Sequence, residues 1–203
     1  LAYLKQASAL CRDLGLGFHM DGARIFNAAV AAGVAVRDFA ACADTVMFCC
    51  SKGLGAPAGS LLAGPSTLIE EGRRVRKLLG GGMRQAGILA ACCIHALEKN
   101  VERLREDHEN ARALARRVVE AGLPGVHVEP PETNMVYLGV EGGPPELYRR
   151  IVEALRAEGV LALSVLGRAV RLVFHKDVGR EASRTASEAL IRVLSRELHL
   201  GPA

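Results

Sequence analysis

The sequence predicts an α/β protein with a mixed or parallel sheet in a partial large domain over residues 1–121 and a smaller α+β domain over 122–203. Three observations carry this expectation. In the first half, short apolar runs end in polar motifs and alternate with stretches of helical periodicity. Gly122, Pro124 and Gly125 then punctuate the chain, and beyond them brief strand-like runs are set between two longer helical segments. Half of the 203 residues are hydrophobic but only 4% are aromatic, which suits an aliphatic core.

Each element has its own warrant. Residues 1–14 place Leu4, Ala7, Leu10, Cys11 and Leu14 at helical spacing, with Gly15 and Gly17 as the stop. A short strand over 18–22 ends in Asp21-Gly22-Ala23-Arg24 and leads into an alanine-rich helical stretch. The second strand, 44–50, is apolar through its centre, as expected when both faces are covered, and ends in Ser51-Lys52-Gly53. A third strand spans 60–63, and a basic helix over 67–79 is broken by Gly80, Gly81 and Gly82. Helices are expected at 86–100 and 101–121, the latter with Val101, Leu104, Ala111, Leu114, Ala115 and Val118 on one stripe. The second domain offers strands at 126–129, 134–140, 161–166 and 169–175, with helices at 145–158 and 180–198.

Composition narrows the function. The 26 Lys+Arg exceed the 22 Asp+Glu by four, but basic residues are interleaved with acids, as from Arg103 to Glu109, so no nucleic-acid partner is demanded. The lack of Trp argues against single-strand stacking platforms. Apolar stretches at 28–36 and 86–94 fall short of the ~18–20 residues a membrane helix needs. A soluble chain with no membrane partner is expected. It opens on Leu1 in a helical pattern with no leader before it, which points to an interior start. Cytoplasmic and mitochondrial locations both stay open. Six cysteines sit in apolar runs, and neither adjacent pair, Cys49-Cys50 or Cys92-Cys93, has the gap of a zinc knuckle or redox motif. Buried reduced thiols and no metal site follow. His19, His95 and His108 read as hydrogen-bonded structural groups.

The chemistry lies in two strand-end motifs, His19-Met20-Asp21-Gly22-Ala23-Arg24 and Ser51-Lys52-Gly53-Leu54-Gly55-Ala56-Pro57. Desolvation disfavours a charged lysine after an apolar strand and makes its amine nucleophilic, as a Schiff-base lysine requires. An Asp at the same sheet edge can keep the ring nitrogen of pyridoxal phosphate protonated. Taken alone, each motif reads more often as a capping or salt-bridged aspartate and a solvated loop lysine.

The residues around them add a resemblance. Stretches 19–27 (HMDGARIFN), 51–60 (SKGLGAPAGS), 76–85 (RKLLGGGMRQ), 100–108 (NVERLREDH), 133–137 (TNMVY) and 170–175 (VRLVFH) make the chain similar to threonine aldolases. These are pyridoxal-phosphate-dependent enzymes of fold type I, and the likeness covers the C-terminal half to three-fifths of a family member. It implies that Lys52 binds the cofactor covalently, that Asp21 faces its pyridine nitrogen, and that Arg24 and Arg171 hold the substrate carboxylate. Lys77 and Arg84 match basic positions that reach toward the cofactor phosphate. The implied reaction is retro-aldol cleavage of L-threonine or L-allo-threonine, a β-hydroxy amino acid, to glycine and acetaldehyde in a homo-oligomer, a homotetramer in the family. The family's phosphate loop and ring-stacking group have no counterpart here, so the chain alone is expected to bind cofactor poorly and turn over little. Two other readings stand beside it: a β-eliminating lyase of the same fold, and a catalytically silent subunit. Phe174 departs from the Thr common in the family.

Overall fold

A computed structural model describes residues 1–198, so residues 199–203 of the expected second domain lie outside the described part. The chain divides into two compact units, Leu1–Leu104 and a second opening at Arg105. The first contains α1 (Ala2–Asp13), β1 (His19–Asp21), α2 (Ile25–Ala32), α3 (Val36–Ala40), β2 (Thr45–Cys49), β3 (Ser60–Ala63), α4 (Ser66–Leu78) and α5 (Gly87–Lys99). The second holds α6 (Leu104–Glu120), β4 (Val126–Val128), β5 (Met135–Val140), α7 (Pro145–Ala157), β6 (Leu163–Val165), β7 (Ala169–Val173) and α8 (Arg180–Glu197).

The first sheet is mixed and ordered β1-β2-β3. β1 runs parallel to β2, with Asp21 opposite Met47, whereas β3 returns antiparallel, with Ser60 opposite Cys49. The expected alanine-rich helical stretch forms two helices, because Gly33 closes α2 in the left-handed region at φ 64°, where a side chain is costly. Ile25, Ala29, Phe39 and Val46 form one core cluster. Phe26 and Phe48 meet edge to face there, at 5.3 Å between centroids. A neighbouring cluster joins Cys50, Leu54, Ala56, Cys93, Ala96 and Leu104.

The expectation that the 44–50 strand is covered on both faces does not hold among the described residues. Met47 and Cys49 stay half-buried, every residue of β3 is exposed, and α4 buries none of its own. α4 spans β3 loosely, leaving an open cavity of about 470 Å³ lined by Met47, Leu61, Leu62, Ile69 and Arg73.

In the second unit an antiparallel sheet, β4-β5-β7-β6, alternates buried and half-buried residues along β7 and the first half of β5. Val136, Leu138, Val170 and Leu172 face the core with Ala111, Leu114, Ala115 and Val118 of α6, Ile151 and Leu155 of α7, and Leu190, Val193 and Leu194 of α8. This placement moves the domain boundary from residue 121 to 104, because the α6 stripe buries its apolar side in the second core. Val101 and Leu104, from the same predicted stripe, pack into the first unit instead. Phe174 is buried in the second core, and both of its backbone polar groups are held by Asn134.

Tyr148 fastens α7 to the sheet. Its hydroxyl accepts from Val140 N–H and donates to Val140 C=O, both at 3.0 Å, and the residue is 2% exposed. Tyr148→Phe removes a buried partner from both groups. A loss of about 1–3 kcal/mol in denaturant unfolding is expected, with the fold retained.

Candidate active site

The carboxylate and the amine singled out in the sequence stand at the carboxyl ends of neighbouring parallel strands. β1 ends at Asp21, β2 ends at Cys49, and Lys52 lies in the turn that follows. Open α/β sheets bind ligands at this edge, where the strand-ending loops leave a crevice. Both side chains are exposed. The desolvation that sequence reasoning gives Lys52 is therefore not supplied by the described residues.

Backbone hydrogen bonds build the Lys52 turn. Gly55 N–H donates to Lys52 C=O and Ala56 N–H to Cys50 C=O, each at 2.9 Å, and Cys50 N–H donates to Gly59 C=O at 3.0 Å. Gly53 packs so closely that a Cβ there would lie 2.7 Å from Asn27 Oδ1 and 3.0 Å from Leu104 Cδ2. Asn100 Nδ2 donates to Leu54 C=O at 2.7 Å. The two asparagines thus support the turn from beneath. Sequence reasoning gave neither a role, although a polar residue amid the alanines of 25–32 was the available signal for Asn27.

Asp21 is oriented by its own turn, with Oδ1 accepting from Ala23 N–H at 3.1 Å. Gly22 N–H donates to Met47 C=O at 2.9 Å, and a Cβ on Gly22 would stand 2.8 Å from that same oxygen. A backbone carbonyl held in a sheet cannot yield. Gly22→Ala is expected to cost about 1–3 kcal/mol, read as a lowered Tm, and to displace Asp21. Arg24 follows as the half-buried N-cap of α2.

Lys77 and Arg84 are exposed, Lys77 in the last turn of α4 and Arg84 in the loop after it. The Lys77 stem lies against Gly82, where a Cβ would be 2.9 Å from its Cδ. No hydrogen bond or ion pair among the described residues joins Lys77 or Arg84 to Asp21 or Lys52. His19 is structural, its Nδ1 2.8 Å from Thr45 Oγ1. His95 is exposed. His108 is buried, and that burial, followed by the nearby Arg112, lowers its pKa. All six cysteines are free thiols, three buried and three half-buried.

Arg171 belongs to the second unit. It sits mid-strand in β7 between Tyr137 of β5 and Leu163 of β6, on the sheet face opposite the core. Its Nε is buried and has no hydrogen-bond partner among the described residues. A buried guanidinium donor without a partner among the described residues is uncommon and leaves Arg171 able to receive an acceptor.

A glycine-turned lysine and an aspartate on adjacent parallel strand ends, followed by a small antiparallel domain, make up the architecture of the pyridoxal-phosphate-dependent enzymes of fold type I. Threonine aldolase from Leishmania major shares the fold at a TM-score of 0.71 and 17% identity, over 94% of this chain and 56% of that one. Ornithine aminotransferase from Toxoplasma gondii, a structure with pyridoxal phosphate at partial occupancy in its active site, shares it at 0.68 and 19%, over 97% and 47%. The chain belongs to the beta-eliminating lyase family, whose profile matches residues 1–141. Among characterised sequences it is 45% identical over 179 residues to the low specificity L-threonine aldolase of Escherichia coli strain K12, covering 88% of this chain and 51% of that protein. It is 38% identical over 176 residues to low-specificity L-threonine aldolase 1 of Arabidopsis thaliana, covering 87% and 49%. The chain spans about half the length of the curated relatives it matches.

The residues present fit the ring and aldehyde end of such a cofactor. Lys52 offers a primary amine in the open, Asp21 keeps Oδ2 without a protein partner among the described residues, and the glycine turns bring backbone close to both. Among the described residues no group of three or more His, Cys, Asp or Glu is placed to hold a metal, and no helix is long and apolar enough to cross a membrane.

Proposed function

We infer that the protein is a pyridoxal-phosphate-dependent carbon–carbon lyase that cleaves L-threonine or L-allo-threonine to glycine and acetaldehyde. The observation that carries this reading is the pairing of Lys52 and Asp21 on the ends of parallel strands β2 and β1. Bound pyridoxal phosphate supplies an electron-poor ring that takes up the electron pair of the breaking Cα–Cβ bond. Lys52 holds the cofactor through its amine, and Asp21 holds a proton on the pyridine nitrogen. Arg24 and Arg171 are each assigned to the substrate carboxylate, a task suited to planar forks that fix orientation as well as charge. Lys77 and Arg84 serve the phosphate. This division of labour is supported by the family match and by the unpartnered Nε of Arg171.

Product identity is the test. Incubation with L-threonine and pyridoxal phosphate is expected to release glycine and acetaldehyde in equal amounts. Ammonia and a keto acid as the products would assign β-elimination instead. For the 203 residues alone low turnover is expected, because Lys52 stands in water and β3 and α4 lack cover among the described residues. Titrating this chain with pyridoxal phosphate is expected to yield little visible absorbance that Lys52→Ala removes. A strong, Lys52-dependent band would refute that expectation and argue against a silent subunit.

A further inference from the structure

A second cluster of reactive side chains lies under the Lys52 turn, and it is made of sulfur. Cys50 is 0% and Cys93 8% exposed, and both belong to the core cluster of Leu54, Ala56, Ala96 and Leu104. Both close on one stretch of backbone. Cys50 N–H donates to Gly59 C=O at 3.0 Å, while Cys93 Sγ donates to Ala58 C=O at 3.6 Å. Cys93 Sγ also lies 3.3 Å from where a Gly59 Cβ would be, so the glycine leaves the sulfur its space. The 58–59 peptide thereby brings both residues to one stretch of backbone inside one buried cluster, Cys50 through its own N–H opposite Gly59 and Cys93 through its sulfur. Their sequence neighbours differ in setting: Cys49 is the half-buried last residue of β2, whereas Cys50 follows it fully buried, and Cys92 sits about 100° round the α5 helix from Cys93.

We propose that Cys50 and Cys93 are an oxidisable pair that closes to an intramolecular disulfide, with a hydroperoxide as the oxidant. Cys93, the more exposed thiol, meets the peroxide first. Its sulfur takes the terminal oxygen, the O–O bond breaks, and the alcohol or water leaves with the thiol proton. The Cys50 sulfur then attacks the resulting sulfenic acid: the S–S bond forms, the S–O bond breaks, and hydroxide departs with the Cys50 proton as water. Two thiols give up two electrons and the peroxide takes them. The bond ties the Lys52-bearing turn to α5 and encloses β3 and α4 in a covalent loop, restricting a part of the chain that packing holds weakly. Burial, then the Cys93 thiol and Cys49, push the Cys50 thiol up to about 12, so thiolate is scarce at neutral pH and closure quickens as the solution becomes alkaline.

The test is thiol mapping of the wild-type protein after hydrogen peroxide treatment at about pH 8.5, with alkylation in denaturant and tryptic digestion. The expected product is a single cross-linked peptide pair whose fragment ions place the bridge at Cys50 and Cys93 and the alkyl groups on Cys49 and Cys92. Dithiothreitol reverses it, Cys92→Ala retains it, and Cys93→Ala leaves Cys50 alkylatable. A bridge through Cys49 or Cys92 overturns the assignment. So does full alkylation of Cys50 and Cys93 once the half-buried Cys11 has been oxidised. Because the decisive map is made on unsubstituted protein, it needs no variant to fold, and it reads no enzymatic activity.

Discussion

On the proposed reading, Lys52→Ala made in a protein of full family length that carries this chain is expected to reduce acetaldehyde release from L-threonine by at least ~10³-fold, as removal of a nucleophile that acts in concert with its neighbours does. Borohydride reduction of the cofactor-loaded enzyme followed by peptide mapping supplies an independent readout, since the reduced adduct is expected on the peptide carrying Lys52. The side chain is exposed and the turn below it is held by backbone bonds and by Asn27 and Asn100, so the substitution leaves the fold intact. An adduct on another lysine, or equal rates in both proteins, would remove Lys52 from the chemistry. Thermal unfolding at an unchanged Tm separates a chemical loss from a structural one.

The second large effect is expected at Arg171. Arg171→Lys keeps the positive charge but loses the planar fork, and a lost charged hydrogen bond is worth about 1.5–3 kcal/mol, or roughly 10–100-fold in kcat/KM. Most of that loss is expected in KM, because a carboxylate clamp binds ground state and transition state alike. β7 continues to pair through its backbone with Tyr137 and Leu163, so the sheet is retained. Steady-state kinetics with L-threonine measure it, and an unchanged KM would assign the buried Nε to another acceptor.

These expectations rest on parts of the molecule that differ in how far the sequence discloses them. The strand ends were legible because an apolar run that stops at a charged residue is a local pattern. Residues 60–63 were expected as a strand and are one. The second-unit sheet was legible for a related reason, since alternation along 134–140 and 169–175 matches the burial of Val136, Leu138, Val170 and Leu172. The alanine-rich stretch is helical as expected, and Gly33 divides it into α2 and α3, a break that alanine's helix propensity does not disclose. The 101–121 stripe was continuous as a pattern, yet Val101 and Leu104 serve one core and Ala111 to Val118 another. Periodicity reports which side of a helix is apolar and says nothing of which core receives it.

Residue order alone determined the chemistry on offer: a lysine and an aspartate at strand ends, arginines at fixed places on either side, glycines where the backbone must turn. Those are properties of neighbours along the chain. Tertiary structure supplied the parallel pairing of β1 with β2 that puts the expected Asp21 and Lys52 on one edge, and it alone decided that Asn27 and Asn100 buttress the turn and that Cys50 and Cys93 close on one peptide. It also decided that Lys52 stands in water and that the Arg171 Nε is buried without a partner among the described residues. The physical reason is that burial and hydrogen-bond partnership depend on what packs from distant parts of the chain, whereas propensity and turn chemistry are settled within a few residues.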